Sequence, residues 1–219
     1  MVSTRERLTQ EALELFYRQG FRTTTMRQIT STCKLTPAAF YNHFASKDEL
    51  LYSIIVDSFV ELQREIDMEL GRSGQTSRER LVAVIKAVTL WHCHKAHQAK
   101  VANRESLELP QAMLDLILER RRSLRDQVER IIVAGVESAE FTPTASAAEA
   151  ARLTSTALFG LMTSISDWYT EPGGWSGELL VDLFVELADR MLGVTEIGLP
   201  RSEVPAAQVA AEDSVPRAG

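Results

Sequence analysis

Apolar residues recur along most of this chain at i, i+3, i+4 and i+7, the spacing of one helical face. Leu8, Ala12, Leu15 and Phe16 form the first such stripe, opened by a Ser3–Glu6 capping box and closed by Gly20. A short second helix follows, in which Thr25 and Gln28 make another capping box around Met26 and Ile29. After the turn Cys33-Lys34-Leu35, Thr36 caps a third helix over residues 37–43. Pro37 takes its first position, where a missing N–H costs nothing. That helix is about two turns long, too short to be stable alone in water. Phe40 and Phe44 (i, i+4) give it one inward face, so it must be held on a scaffold with its other face open.

Ser46 and Glu49 start a fourth helix whose stripe runs Leu50, Leu51, Ile54, Ile55, Phe59, Leu62, Ile66 and Leu70, stopping near Gly71 to Gly74. Thr76 and Glu79 cap a fifth, carrying Leu81, Val84, Ile85, Val88 and Trp91. A sixth is expected over residues 97–107. Pro110 starts a seventh, with Met113, Leu116, Ile117, Leu124, Val128, Ile131 and Ile132 as its stripe. Arg120, Arg121, Arg122 and Arg125 crowd its middle and read as a solvated face among Glu119, Asp126 and Glu129. Residues 147–169 are nearly apolar all round in their second half, which requires cover on every side. One face would pack on its own bundle and the other on a second copy, with Ser155, Ala157, Gly160 and Ser164 permitting close approach. A turn with aromatic anchors at residues 168–175 leads to a last amphipathic helix ending at Gly193.

The pattern therefore predicts an all-α chain. An N-terminal helix-turn-helix unit occupies residues 1–50 and continues into the long helix from 47. Residues 51–198 form a helical bundle for ligand binding and dimerisation, and residues 199–219 a flexible tail. Composition agrees with an ordinary core-forming chain: 219 residues, 45% hydrophobic, few glycines. The longest uncharged stretch, residues 153–166, is 14 residues, well short of the ~20 a membrane helix needs. Charged residues near the start exclude a signal peptide from that stretch. The two cysteines, Cys33 and Cys93, make no disulfide framework and fit a reducing cytoplasm. Net charge is −6, yet the first fifty residues carry a slight basic excess over an acidic remainder. Contact with nucleic acid would then depend on placed groups more than on bulk attraction.

The open face of the third helix carries Pro37, Ala38, Ala39, Tyr41 and Asn42, with Lys47 just beyond. Small residues at a helix start allow close approach to base edges, and an alanine methyl packs on a thymine methyl. Tyr41, Lys47 and the Thr25 and Thr36 hydroxyls, beside helix N-termini, suit phosphate oxygens. The alternative is a helical hairpin inside an ordinary bundle. The run Trp91-His92-Cys93-His94-Lys95-Ala96-His97 holds three of the four histidines. A metal site or a small helical enzyme built on His92, His94, His97 and Glu105 is the rival reading. The spacing matches no recognised zinc pattern, and no nucleophile or phosphate-loop motif is present, so neither cofactor nor catalysis is expected.

Residues 20–29, GFRTTTMRQI, with residues 35–50, LTPAAFYNHFASKDEL, resemble the N-terminal signature of the TetR family of bacterial transcriptional regulators. The chain departs from it at Thr30, usually alanine, at Lys34, a common turn glycine, and at Ala38, a common helix glycine. The resemblance implies a repressor that binds a palindromic operator in double-stranded DNA as a homodimer and is released by a small molecule. It adds Thr24, Arg27 and His43 to the candidate DNA-binding residues. The C-terminal pattern, from Phe141-Thr142-Pro143 to Trp168-Tyr169 and Pro172-Gly173-Gly174, is similar to regulators of fatty-acid and steroid breakdown, whose ligands are acyl-CoA thioesters. The effector is thus expected to be amphipathic. Candidate apolar lining is Trp91, Met113, Leu116, Phe159, Met162 and Trp168, and Arg104, Arg120 and the His92–His97 cluster, with His94, are candidates for an anionic head.

Overall fold

The computed structural model describes residues 3–169 and 175–194. The expected tail at 199–219 and part of the aromatic turn at 168–175 lie outside them. The described residues form nine helices and no strand: α1 (Thr4–Gln19), α2 (Met26–Thr32), α3 (Pro37–Tyr41), α4 (Lys47–Arg72), α5 (Ser77–His94), α6 (Ala96–Arg104), α7 (Gln111–Glu137), α8 (Ala147–Trp168) and α9 (Gly177–Met191). A 3-10 turn, Glu105–Glu108, joins α6 to α7.

Local chemistry sets most boundaries. The Ser3–Glu6, Thr25–Gln28 and Thr76–Glu79 boxes are each formed in both directions, as is Ser146–Glu149 at α8. At α4 only half a box forms, because Glu49 Oε2 accepts from the Ala45 N–H instead of that of Ser46. Gly20 ends α1 at φ 85°, ψ 160°, a region closed to side chains with a Cβ. The third helix stops at Tyr41, shorter than the spacing predicts, because the His43 N–H reaches back only three residues to the Phe40 carbonyl. The sixth element also differs. Lys95, at ψ 36°, breaks the chain between α5 and α6, and the expected helix over 97–107 gives way at Glu105 to the 3-10 turn.

Two cores result. The N-terminal one gathers Leu8, Phe16, Phe21, Ile29, Phe40 and Phe44 with Leu50, Leu51, Ile54 and Ile55 of α4. Val101, Ala102, Leu109 and Ile117, from beyond the fifth helix, complete it. The C-terminal core wraps α5, which contacts α4, α7, α8 and α9. Within one chain the helix covered on every side is α5. Small buried residues Ala83, Ala87, Thr89 and Cys93 let its neighbours approach. Within one chain, α8 leaves Leu153, Leu161 and Trp168 exposed, and α9 leaves Leu183 and Met191. Asp189 of α9, buried, accepts two bonds from Arg78 of α5 at 3.0 and 2.7 Å, a planar fork that fixes the two helices against each other.

Candidate nucleic-acid interface and a cavity

The turn between α2 and α3 fixes the angle at which α3 is presented. The Leu35 N–H donates to Thr30 O and the Lys34 N–H to Ser31 O, at 2.8 and 3.0 Å, the two bonds of a Schellman ending. Lys34 adopts the left-handed conformation this ending requires, φ 54°, so the turn is kept without glycine, with strain of roughly 1 kcal/mol. Thr36 Oγ1 accepts from the Ala39 N–H, and Phe40 and Phe44 pin the helix from beneath. Two arginines of α1, not singled out from sequence, hold the unit together. Arg7 Nη2 donates to Cys33 O and Arg5 Nη1 to His43 O, each at 2.7 Å, with Arg5 also over the Phe44 ring. No spacing rule in the sequence identifies these tertiary bonds.

The outward face of this unit is Thr25, Arg27, Thr36, Pro37, Ala38, Tyr41 and Asn42, all exposed, with Ala39 and His43 half-buried beside them. Tyr41 is 61% exposed. Thr24 and Lys47 are placed otherwise than the sequence suggests. Thr24 is buried, its hydroxyl donating to Gly20 O. Lys47 Nζ donates to Phe21 O and Thr24 O at 2.7 and 2.8 Å and sits 4.1 Å from the Phe21 ring centre. Burial lowers its pKa from the ordinary lysine value. In this state the ammonium ties α4 to the turn before α2 instead of pointing toward a phosphate.

That turn is also gripped from the other side. Glu105 Oε2 accepts from the Phe21 N–H, and Glu108 pairs with Arg22. His97 stacks on Tyr17 at 3.7 Å between ring centres, with Nδ1 3.1 Å from Glu14 Oε1. The reading unit is therefore joined to α6 and the 3-10 turn by packing, hydrogen bonds and charge.

Between α4, α5, α6, α7 and α8 lies a cavity of about 490 Å³. Its apolar wall includes Phe59, Leu62, Trp91, Ala99, Leu124 and Phe159, and its polar wall His92, Asn103, Arg121, Arg125, Thr163 and Asp167. Of the residues named from sequence as ligand lining, Trp91 and Phe159 face it. Met162 is buried in the core, Met113 packs on the N-terminal core, and Leu116, Trp168 and His94 are exposed elsewhere. Arg104 pairs with Asp167, and Arg120 borders a separate shallow pocket against α4. His92, from the His92–His97 cluster, also lines it, and the groups missed are Arg121 and Arg125. Ile117, Arg121, Leu124, Val128 and Ile131 follow the 4, 3, 4, 3 spacing of the inward stripe of α7, so Arg121 occupies a core slot. The same spacing leaves Arg120 and Arg122 on the exposed side of α7.

His92, Cys93, His94 and His97 do not converge. His92 is buried with Nδ1 2.8 Å from Val88 O. Because a carbonyl only accepts, Nδ1 carries the proton and Nε2 is left as an acceptor. Burial pushes the His92 pKa down to about 4, so the ring is neutral at pH 7. His94 is exposed and His97 lies on Tyr17. Among the described residues no three metal-ligating side chains come together, and no helix is long and apolar enough to cross a membrane.

Comparison with known proteins agrees with this geometry. Residues 8–54 match the model of bacterial regulatory proteins of the tetR family, and residues 74–192 that of the tetracyclin repressor-like C-terminal domain, which alone takes in more than half of the chain. The HTH-type transcriptional regulator TcmR of Streptomyces glaucescens is 34% identical over 85 residues, 39% of this chain and 37% of TcmR. The chain thus spans little more than a third of that relative's length. A bacterial regulatory protein in the tetR family from Rhodococcus RHA1 superposes with a TM-score of 0.80 at 25% identity, covering 90% of this chain and 100% of that one. AibR, in complex with isovaleryl coenzyme A and operator DNA, superposes with a TM-score of 0.75 at 18% identity, covering 84% of this chain and 97% of AibR. With its N-terminal helix-turn-helix and its C-terminal bundle both matched, the chain belongs to the TetR family of DNA-binding transcriptional regulators.

Proposed function

We propose that this protein is a dimeric repressor that reads operator DNA with α3 and is released when an amphipathic small molecule enters the cavity. The observation that carries the reading is the exposed, small-residue face of α3, with Tyr41 at its end, held rigid by caps and by Phe40 and Phe44. Thr36 and the first N–H groups of α3 suit phosphate, while the exposed Ala38 and Asn42 would reach base edges. The exposed apolar stripe of α8, Leu153, Leu161 and Trp168, together with Leu183 and Met191 of α9, supports burial against a second copy. Two-fold symmetry would then set half-sites about 34–36 Å apart, or a multiple of that. Residues 1–50 would read DNA and residues 51–198 sense ligand and dimerise. AibR, bound to both a coenzyme A thioester and DNA, supports an amphipathic effector in this fold.

Fluorescence anisotropy with DNA from upstream of the protein's own reading frame tests the reading. Wild type should bind it more tightly than scrambled duplex, and Tyr41→Ala should weaken both together, since a phosphate contact positions without specifying. Equal affinity of wild type for the upstream and scrambled sequences, down to low salt, would defeat the proposal. Sedimentation of Leu161→Glu should give a folded monomer where wild type is a dimer.

A further inference from the structure

The unusual feature of the cavity is charge without a counter-charge. Arg121 fills a core slot of α7 and lines the wall with Arg125, one turn on. A guanidinium removed from water needs an anion or a full set of acceptors. Arg121 has two neutral ones, Ala102 O and Ser106 Oγ, both 3.1 Å from Nη2. Burial, and then the neighbouring charge of Arg125, hold its pKa below the usual arginine value. No ion pair among the described residues joins either arginine to a carboxylate, and Asp167, the acid in the wall, is already paired with Arg104 at 2.7 Å. His92 is neutral and offers an acceptor. The wall thus holds two cations and one engaged carboxylate. It also holds Trp91, whose buried indole N–H finds no partner among the described residues.

We propose that the cavity is a site for a compact organic carboxylate, its anionic head bridging Arg121 and Arg125 and its apolar body lying along Phe59, Trp91, Leu124 and Phe159. The assignment rests on the regulator reading above and names the class of effector. Planar guanidinium forks match a carboxylate with two parallel hydrogen bonds, which neither a neutral amide nor a cationic drug reproduces. At about 490 Å³ the cavity is in the lower half of the usual range for ligand sites, suited to a medium-chain or aryl-substituted acid. A coenzyme A thioester has a neutral carbonyl at its acyl end and carries its phosphates far from it, so it offers the arginine pair no anion at that end. Carboxylate binding also competes with Ala102 O and Ser106 Oγ for Arg121. Ser106 lies in the 3-10 turn whose Glu105 and Glu108 grip Phe21 and Arg22, so occupancy reaches the turn before α2. The acid shifts DNA binding only as far as it binds the two arrangements unequally.

Isothermal titration of the full-length protein with octanoate, 4-phenylbutyrate, their primary amides and octanoyl coenzyme A tests the assignment, each titration paired with release of labelled upstream DNA. At least one acid should bind and release DNA, with its amide at least tenfold weaker. Arg125 has no hydrogen bond to lose among the described residues, so Arg125→Gln should fold normally, confirmed by its melting temperature. It should weaken the acid about ten- to a hundredfold, the worth of one charge-assisted bond, and leave the amide unchanged. Amides binding as tightly as acids, an unchanged acid affinity in Arg125→Gln, binding by octanoyl coenzyme A alone, or no binding by either acid would each overturn the assignment. If ligand-free protein still binds its upstream DNA in those cases, the regulator reading stands and only the ligand class is wrong. Absence of any DNA binding defeats the regulator reading itself.

Discussion

The reading unit and the cavity half use charge in opposite ways. In the N-terminal unit Arg5, Arg7 and Lys47 turn their cationic groups onto the backbone carbonyls of His43, Cys33, Phe21 and Thr24. Every one of those carbonyls lies at a helix end or in a turn, where it lacks an intrahelical partner. The result is a rigid mount for a five-residue helix. In the C-terminal half Arg121 and Arg125 line a cavity with no carboxylate paired to either among the described residues, and His92, in the same wall, is held neutral. The first arrangement gains stability by satisfying the chain internally. The second leaves electrostatic demand that a ligand can meet. Under the proposed function, the stiff element would read operator DNA and the unsatisfied one would respond to a ligand.

The sharpest way to break the comparison is to ask whether the two halves are separate at all. Ile117 lies in α7 yet is fully buried in the N-terminal core. Ile117→Ala should cost about 2–5 kcal/mol, as expected for a fully buried aliphatic side chain. Hydrogen exchange should quicken in α1 to α3 as well as in α7. Acceleration confined to α7 would mean that the N-terminal core holds without its C-terminal lid.

Acid should weaken the cavity half through His92. Its pKa is near 6.5 in the unfolded chain and about 4 in the fold, so between those values only the unfolded chain takes up the proton. The stability held by neutral His92 is complete above pH 6.5, declines as pH falls through this window, and levels off below about 4. By pH 5 the loss should be about 2 kcal/mol. Urea midpoints at pH 7.5 and pH 5 for wild type and His92→Gln check it, the variant showing a loss smaller by that amount.

A smaller effect sharpens the account of the reading unit. Lys47→Met should lower stability by about 1–3 kcal/mol through its two charged hydrogen bonds to carbonyls. DNA affinity should fall while its dependence on salt keeps the same slope. A slope reduced by about 0.9 per contact would instead put this ammonium on a phosphate. The smallest change should be a gain. Lys34→Gly relieves a left-handed backbone at a position glycine adopts freely, raising stability by up to about 1 kcal/mol in thermal denaturation.

How much could be read in advance follows from how local each cause is. The caps at Ser3, Thr25, Thr36 and Thr76 involve residues three apart, and the stripes of α1, α4, α5 and α7 repeat within one turn or two. Helix existence, the all-α class and the exposed face of α3 were therefore legible from order alone. Boundaries that depend on backbone torsion were less so: a junction between the fifth and sixth helices is legible in the spacing, but the 3-10 turn after Arg104 is not.

The amino-acid sequence by itself determined which segments become helices, because capping and amphipathic spacing act between near neighbours. It also determined that residues 20–50 carry a DNA-reading motif, because that motif is contiguous. Only the tertiary structure decided which helix is enclosed. The small residues of α5 let four helices close around it, so α8 keeps an open apolar face. It also moved Lys47 from a candidate phosphate contact to an internal tie, because the carbonyls that capture it come from residues more than twenty positions away. And it turned two of four neighbouring arginines inward, since the direction a side chain faces on a helix gains meaning only when the other helices are in place.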